Sequence, residues 1–130
     1  MICLDTTAII DFYRGDENLK KLLDSLEGTF ATTIVNYQEI FFGINLKDTK
    51  HNVEEEYYED FFDDIIIFDL DRASAKNASE ILLELVHKGK IIEKFDCMIA
   101  GILLSNGVNK IITKNKKHFK NIKGLKVISY

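Results

Sequence analysis

The sequence contains no proline and only two cysteines among its 130 residues. Without proline, repeats or low-complexity tracts, it shows no linker at which the chain would divide into domains. Cys3 and Cys97 lack the spacing of a metal-binding motif, and two free buried thiols in a reducing compartment explain them better than a disulfide. No apolar run approaches the roughly 20 residues that cross a bilayer, which argues against a membrane protein.

The amino-acid composition is typical of one globular domain, which we place over residues 1–130. Hydrophobic residues make up 46% of the chain, which is ordinary for a folded protein and too high for a disordered one. Met1 leads directly into the apolar run that starts at Ile2, with no basic leader region before it. We therefore expect no signal peptide and a cytoplasmic location.

Charge is distributed unevenly along the chain, whose net charge is −4. Residues 1–72 hold 17 acidic and 6 basic side chains, a net of −11, and residues 73–130 hold 4 acidic and 11 basic ones, a net of +7. The basic half could face an anion such as RNA, or an acidic partner surface. Equally, its lysines could simply solubilise helix faces.

Short apolar runs alternate with segments of helical periodicity. We predict strands near residues 2–4, 30–33, 65–68, 111–112 and 127–128. We predict helices near residues 7–13, 17–27, 34–46, 50–62, 71–87, 95–104 and 116–121. This alternation, with strands that are apolar throughout, predicts a parallel sheet covered by helices on both faces.

Four polar residues occupy positions typical of an active site, because open parallel sheets bind ligands at the carboxyl ends of their strands. Asp5 ends the first strand and Asn115 follows the strand at 111–112, whereas Glu39 and Asp96 interrupt apolar helices. Simpler interpretations stay open. Asp5 and Asp96 could cap helices, Glu39 could be an exposed helix position, and Asn115 could be a turn residue.

Clustered carboxylates would need a counter-charge. At a separation of about 4 Å and an effective dielectric constant of about 20, each pair repels by about 4 kcal/mol. Three such pairs would approach the whole stability of a small domain, about 5–15 kcal/mol. The cluster must therefore take up protons, spread apart or bind cations. Oxygen ligands select hard ions such as Mg²⁺ or Mn²⁺, which can activate water for phosphodiester hydrolysis.

Four segments carry these residues in order along the chain. They are LDTTAIID at residues 4–11, TIVNYQEIFFG at 33–43, FDCMIAG at 95–101 and ITKNKKHF at 112–119. Together with the closing IKGLKV at 122–127, they resemble the PIN-domain nucleases and, among these, the VapC toxins of type II toxin–antitoxin systems. Each segment is weak alone, but all of them at this spacing are fairly specific.

The resemblance implies a compact three-layer α/β/α sandwich with a mostly parallel central sheet, bound Mg²⁺ or Mn²⁺, and endonucleolytic cutting of RNA. It also implies an antitoxin protein in the active-site groove, and a homodimer. Asp5 and Asp96 would bind the metal directly, and Glu39 would hold a coordinated water or a second ion. Asn115 would support this group, with two hydroxyl neighbours, Thr6 and Thr113.

The basic side chains around the fourth segment are candidates for contacts to RNA phosphates. They are Lys114, Lys116, Lys117 and Lys120. Position 115 departs from the pattern, since many relatives carry Asp there. Asn115 leaves three formal negative charges instead of four, so the expected second metal position is in doubt.

Two rival functions fit parts of the sequence. The apolar run 65–68 followed by Asp69 and Asp71 resembles the nucleophile segment of haloacid-dehalogenase-type phosphatases, although a helix N-cap explains Asp71 better. The chain could also be a PIN-like binding module without catalysis. His118 is expected to be structural. An aromatic stripe at 57–62 is expected to pack in the core, or else to form a dimer or antitoxin surface.

Overall fold

The computed structural model describes all residues 1–130 and contains five strands and seven helices. The strands are β1 (Ile2–Leu4), β2 (Phe30–Thr33), β3 (Ile66–Phe68), β4 (Lys110–Ile112) and β5 (Lys126–Ile128). They form one parallel sheet in the order β3-β2-β1-β4-β5, so the first strand lies at its centre. The predicted parallel sheet is confirmed.

The helices connect the strands and cover the sheet. They are α1 (Thr6–Arg14), α2 (Glu17–Ser25), α3 (Ile34–Phe42), α4 (Asn52–Asp63), α5 (Arg72–His87), α6 (Lys94–Ser105) and α7 (Lys116–Phe119), with a 3₁₀ turn at Thr49–His51 before α4. No helix combines the length and apolarity needed to cross a bilayer.

Apolar side chains pack on both faces of the sheet in two separate clusters. Cys3 and Ile111 face the cluster that includes side chains of α5 and α6, whereas Leu4 and Ile112 face the cluster that includes side chains of α1 and α4. Residues 2–4 are buried throughout, as a central strand between two helix layers requires. The three-layer sandwich implied by the resemblance is therefore observed.

Several helix ends differ from the sequence prediction, and α3 shows the reason. It stops at Phe42 instead of continuing to residue 46. The Asn45 side chain accepts a hydrogen bond from the backbone N–H of Lys47 at 3.2 Å. A short polar side chain that bonds to its own backbone stabilises a turn in competition with the helix.

The segment after β3 forms a helix cap. The Asp71 carboxylate accepts the backbone N–H of Ser74 at 2.8 Å, and the Ser74 hydroxyl lies 2.8 Å from the Asp71 backbone N–H, which completes a capping box at the start of α5. These hydrogen bonds lower the pKa of Asp71 below its usual value. The predicted N-cap is confirmed, and its carboxylate is engaged by its own helix.

Gly101 sets how closely α6 approaches α5. A Cβ atom at this position would lie 2.6 Å from the carbonyl oxygen of Ser74 and 2.7 Å from the backbone nitrogen of Ala78. Both contacts involve backbone atoms, which cannot move aside cheaply. The absence of a side chain therefore lets α6, with Asp96 in its first turn, pack directly against α5.

Candidate active site

The candidate site lies where three adjacent central strands end. Asp5 directly follows β1, Thr113 follows β4, and Thr33 is the last residue of β2. Since parallel strands have their carboxyl ends at one edge, the topology brings these side chains together. Helices α3 and α6 then add Glu39 and Asp96 from outside the sheet.

Asp5 is held by a hydrogen bond at each carboxylate oxygen. The Asn36 amide donates to Oδ1 at 2.9 Å, and the Thr113 hydroxyl donates to Oδ2 at 2.6 Å. Asp5 occupies the N-cap position of α1, but its side chain makes no capping bond, so the simple capping interpretation is wrong. Burial, at 3% exposure, raises the pKa of Asp5, and these two hydrogen bonds oppose the rise.

Asn36 is a site residue that the sequence did not single out. It is fully buried in α3, accepts the Thr33 hydroxyl at 2.7 Å, and donates to both Asp5 and the Thr6 hydroxyl. A polar side chain in an apolar helix, three residues after a Thr N-cap, is the signal that could have drawn attention to it. Its amide fixes the carboxylate of Asp5 relative to α3.

Glu39 lies one turn after Asn36 on the same helix and is partly buried. The Thr6 hydroxyl donates to its Oε1 at 3.0 Å, so Asn36, Thr6 and Glu39 form a continuous hydrogen-bonded chain. Burial raises the pKa of Glu39 to about 7, assisted by the charges of Asp5 and Asp96 and opposed by the Thr6 bond. The side chain is therefore not a freely solvated helix position.

Asp96 lies in the first turn of α6 and is 8% exposed. The helix N-cap is Glu93, and Asp96 Oδ2 instead lies 2.8 Å from His118 Nδ1. Burial raises the pKa of Asp96, the charge of His118 lowers it, and Asp5 raises it. His118, expected to be structural, thus contacts a candidate catalytic carboxylate directly.

The three carboxylates interact with one another. Asp5 and Asp96 both raise the pKa of Glu39, and Asp5 raises that of Asp96. No group of three or more His, Cys, Asp or Glu side chains forms a ready-made set of metal ligands. Mg²⁺, however, is commonly held by only one or two carboxylates and keeps several waters. The all-oxygen donors Asp5 and Asp96 fit such an ion, since each Asp5 oxygen retains a further lone pair.

Asn115 lies in the loop before α7 and is linked to the site through Thr113. Its backbone N–H donates to the Thr113 hydroxyl at 3.0 Å, while its side chain is exposed and does not cap α7. This backbone bond helps to hold Thr113, which in turn orients Asp5. Support of the site by the Asn115 amide itself stays a prediction.

The four candidate lysines fall into two groups. Lys114 Nζ lies 2.7 Å from Asp11 Oδ2 and 5.3 Å from the centre of the Tyr130 ring, so it is engaged within the protein. All four border an open depression of about 460 Å³, which His118 also lines and no hydrophobic residue does. Lys116, Lys117 and Lys120 make no ion pair, so they remain the better candidates for phosphate contacts.

Comparison with known proteins agrees with this fold and site. A family model for the PIN domain matches residues 2–125, nearly the whole chain. The chain therefore belongs to the PIN-domain family. It is 30% identical over 100 residues to the tRNA(fMet)-specific endonuclease VapC of Shigella flexneri, a match that covers 77% of this chain and 74% of that protein.

Solved structures of similar fold come from toxin–antitoxin complexes. VapBC2 from Rickettsia felis, bound to a DNA fragment from its promoter, aligns over 100% of this chain and 99% of that chain, with a TM-score of 0.85 and 24% identity. DNA-bound VapBC from Salmonella typhimurium aligns over 99% and 98%, with a TM-score of 0.83 and 23% identity. At these identities the likeness concerns the fold.

Proposed function

We propose that this chain is an endoribonuclease that depends on Mg²⁺ or Mn²⁺ and serves as the toxin of a toxin–antitoxin pair. The observation that carries the proposal is the convergence of Asp5, Glu39 and Asp96 at the carboxyl edge of a PIN-family sheet. Its relative in Shigella flexneri is an endonuclease specific for tRNA(fMet), which supports RNA as the substrate class.

The side chains suit hydrolysis of a phosphodiester. Asp5 and Asp96 would hold the metal, which when bound polarises the phosphate and activates water. Glu39, whose Oε1 accepts the Thr6 hydroxyl, would hold the attacking water and accept its proton. Asn36 and Thr113 keep Asp5 oriented, and the lysines that follow Asn115 would attract the RNA backbone.

We also propose two protein partners for this chain, an antitoxin and a second copy of the chain. The similar structures are complexes of a VapC-type toxin with its antitoxin, so a cognate antitoxin is the expected inhibitor of this chain. Self-association into a homodimer is proposed with it. Sedimentation of the purified protein, alone and with the product of a candidate antitoxin gene, tests both.

Cleavage of a mixed pool of structured RNAs tests the enzymatic proposal. Wild-type protein with Mg²⁺ or Mn²⁺ should cut, whereas EDTA or Asp96→Asn should abolish cutting. Asp69→Asn is the matched control, since this exposed aspartate lies after the edge strand β3 and should be dispensable. A phosphatase activity that survives Asp5→Asn but is lost in Asp69→Asn would instead favour the phosphatase-like interpretation.

A measurement of metal binding distinguishes the proposed nuclease from a PIN-like binding module. Titration calorimetry with Mn²⁺ should show binding by wild-type protein that Asp5→Asn weakens at least tenfold. If neither Mn²⁺ binding nor RNA cutting is observed, the chain is a PIN-like binding module.

A further inference from the structure

An open cleft of about 700 Å³ lies between the start of α6 and α7. Lys117 and His118 of α7 line it, together with the run from Ile91 to Phe95 that leads into α6. His118 Nδ1 also contacts Asp96 at 2.8 Å, so this residue belongs to both the cleft and the site. Whatever occupies the cleft therefore meets the residue that contacts Asp96, one of the proposed catalytic carboxylates.

Phe95 lines this cleft, and its exposed ring packs against a second exposed ring, that of Phe42. Phe95 is 41% exposed and Phe42 is 66% exposed, and their rings lie 6.4 Å apart at an interplanar angle of 27°. Phe95 directly precedes Asp96, and Phe42 lies three residues after Glu39. The two helices that supply carboxylates thus also supply a nearly parallel aromatic pair.

The charged groups of the cleft favour an anionic occupant. Lys94 and Lys117 are exposed, and the ion pairs of the structure involve other cations. Glu93 is the one acidic residue among those that line the cleft. A volume of about 700 Å³ also lies within the range of about 300–1,000 Å³ typical of small-ligand sites, which is ample for one nucleotide.

We infer that this cleft is a nucleotide subsite, in which the base of an unpaired residue next to the scissile phosphate stacks on Phe95. Lys94 and Lys117 would face the phosphates on either side of that base. A base inside a duplex is already stacked on its neighbours, so the subsite selects single-stranded RNA. The inference rests on the proposed function and adds the residues that select the substrate.

Binding of a fluorescein-labelled single-stranded RNA decamer in EDTA, followed by anisotropy, tests the subsite without cleavage. Phe95→Leu should weaken binding about tenfold, as expected from losing one base–aromatic stack, and Phe95→Tyr should restore it. Phe12→Leu is the matched control, because Phe12 is 46% exposed on α1 and outside the cleft. Binding of a blunt RNA duplex should be the same for wild type and Phe95→Leu.

The salt dependence of RNA binding distinguishes the contribution of the Phe95 ring from that of the lysines. Lys117→Ala should weaken binding and reduce the slope of log K against log salt by about 0.7, the value for one phosphate contact on a single strand. Phe95→Leu should weaken binding with the slope unchanged. Lys20→Ala, an exposed lysine on α2, should change neither quantity.

The subsite would be overturned if Phe95→Leu bound the decamer as well as wild type does. It would also be overturned if that variant bound normally and converted a dimer to a monomer in sedimentation, since the aromatic pair would then be a subunit contact. The proposed function fails separately: if wild type cuts no RNA but its decamer binding depends on Phe95, the subsite stands and the nuclease assignment falls.

Discussion

The amide nitrogen of Asn36 lies 2.9 Å from Oδ1 of Asp5, and this bond links α3 to the end of the central strand. Asn36 is fully buried, so removing its amide takes one hydrogen-bond partner from each of Asp5, Thr6 and Thr33. Leaving buried polar groups unsatisfied costs about 1–3 kcal/mol. The residue that holds a site carboxylate in place therefore also contributes to folding.

We expect Asn36→Ala to lower the free energy of unfolding by about 1–3 kcal/mol, measured by urea denaturation. RNA cleavage should fall further than the folded fraction does, because Asp5 loses one of its two orienting bonds. Gln38→Ala, an exposed position on the same helix, should leave both quantities unchanged. Equal stability of Asn36→Ala and wild type would contradict the observed hydrogen-bond network.

Glu39 makes the stability of the metal-free protein depend on pH. Its pKa is raised to about 7, above the 4.5 that is ordinary for glutamate, so between these values the folded state binds a proton that the unfolded state has released. Stability must therefore fall as pH rises from about 4.5 to 7. In EDTA, Glu39→Gln should reduce this fall and raise Tm at pH 8 relative to wild type. After allowance for solvent screening, the gain is on the order of 1 kcal/mol.

The same reasoning applies to Asp5→Asn and Asp96→Asn. Burial raises the pKa of both carboxyls, so each charged form is destabilised in the metal-free protein. We expect either variant to abolish RNA cleavage and to raise Tm in EDTA, measured by differential scanning calorimetry. Asp69→Asn, outside the cluster, should show neither effect. A lower Tm for both site variants would contradict repulsion between the carboxylates.

Tyr130 and Lys114 both bind Asp11 on α1. The Tyr130 hydroxyl donates to Asp11 Oδ2 at 2.7 Å, and Lys114 Nζ lies at the same distance from the same oxygen. Burial raises the pKa of Asp11, but the bonds from Lys114 and Tyr130 outweigh it, and the net pKa is lowered. The loop between β4 and α7, which holds Thr113 and Asn115, is thereby attached to α1.

Tyr130→Phe should therefore lower the free energy of unfolding by about 1 kcal/mol, measured by urea denaturation at pH 7. Because the pKa of folded Asp11 is lowered, its stabilising effect is complete above the ordinary Asp pKa of about 3.9 and is lost as pH falls below it. The stability difference between wild type and Asp11→Asn should shrink over that acidic range. Tyr13→Phe is the control, since its exposed hydroxyl is not part of this contact.

Gly101→Ala should destabilise the fold although alanine is the better helix former by about 1 kcal/mol. The added methyl would lie 2.6 Å from the Ser74 carbonyl oxygen, so α5 and α6 must separate. Overpacking of this kind costs about 1–3 kcal/mol or more, and thermal unfolding should show the loss. Ser105→Ala, at the end of α6, removes only an exposed 3.3 Å hydrogen bond from Asn77 and should leave Tm nearly unchanged. An increase in Tm for Gly101→Ala would contradict the close helix contact.

Local sequence signals predicted the elements well but not all of their ends. The strand at 30–33 and the cap at Asp71 follow from residues close together in the chain, and both are confirmed. α3 closes at Gly43, whose backbone N–H bonds to the carbonyls of Ile40 and Phe41, and the side-chain bond of Asn45 then stabilises a turn where the periodicity predicted more helix. Hydrophobic periodicity alone does not predict whether the chain continues as a helix or forms a turn at such a position.

The candidate site was only partly predictable, for a different reason. Asp5, Glu39 and Asp96 stand out as acids in apolar surroundings. The contact of His118 with Asp96 and the engagement of Lys114 by Asp11 depend on how α7 and its preceding loop settle against the sheet. These contacts join distant parts of the chain, so no short-range sequence pattern predicts them.

The central position of β1 has a consequence for how the protein is made. Asp5 is aligned by Thr113, which is added to the growing chain 108 residues later, and the loop that bears Thr113 is attached to α1 through the contact of Lys114 with Asp11. A ribosome-bound chain therefore carries all three carboxylates before it has the residue that bonds to Oδ2 of the first of them. Pairing of such distant strands is also slow. A nascent chain that has not yet reached residue 113 is consequently expected to leave Asp5 without this orienting bond.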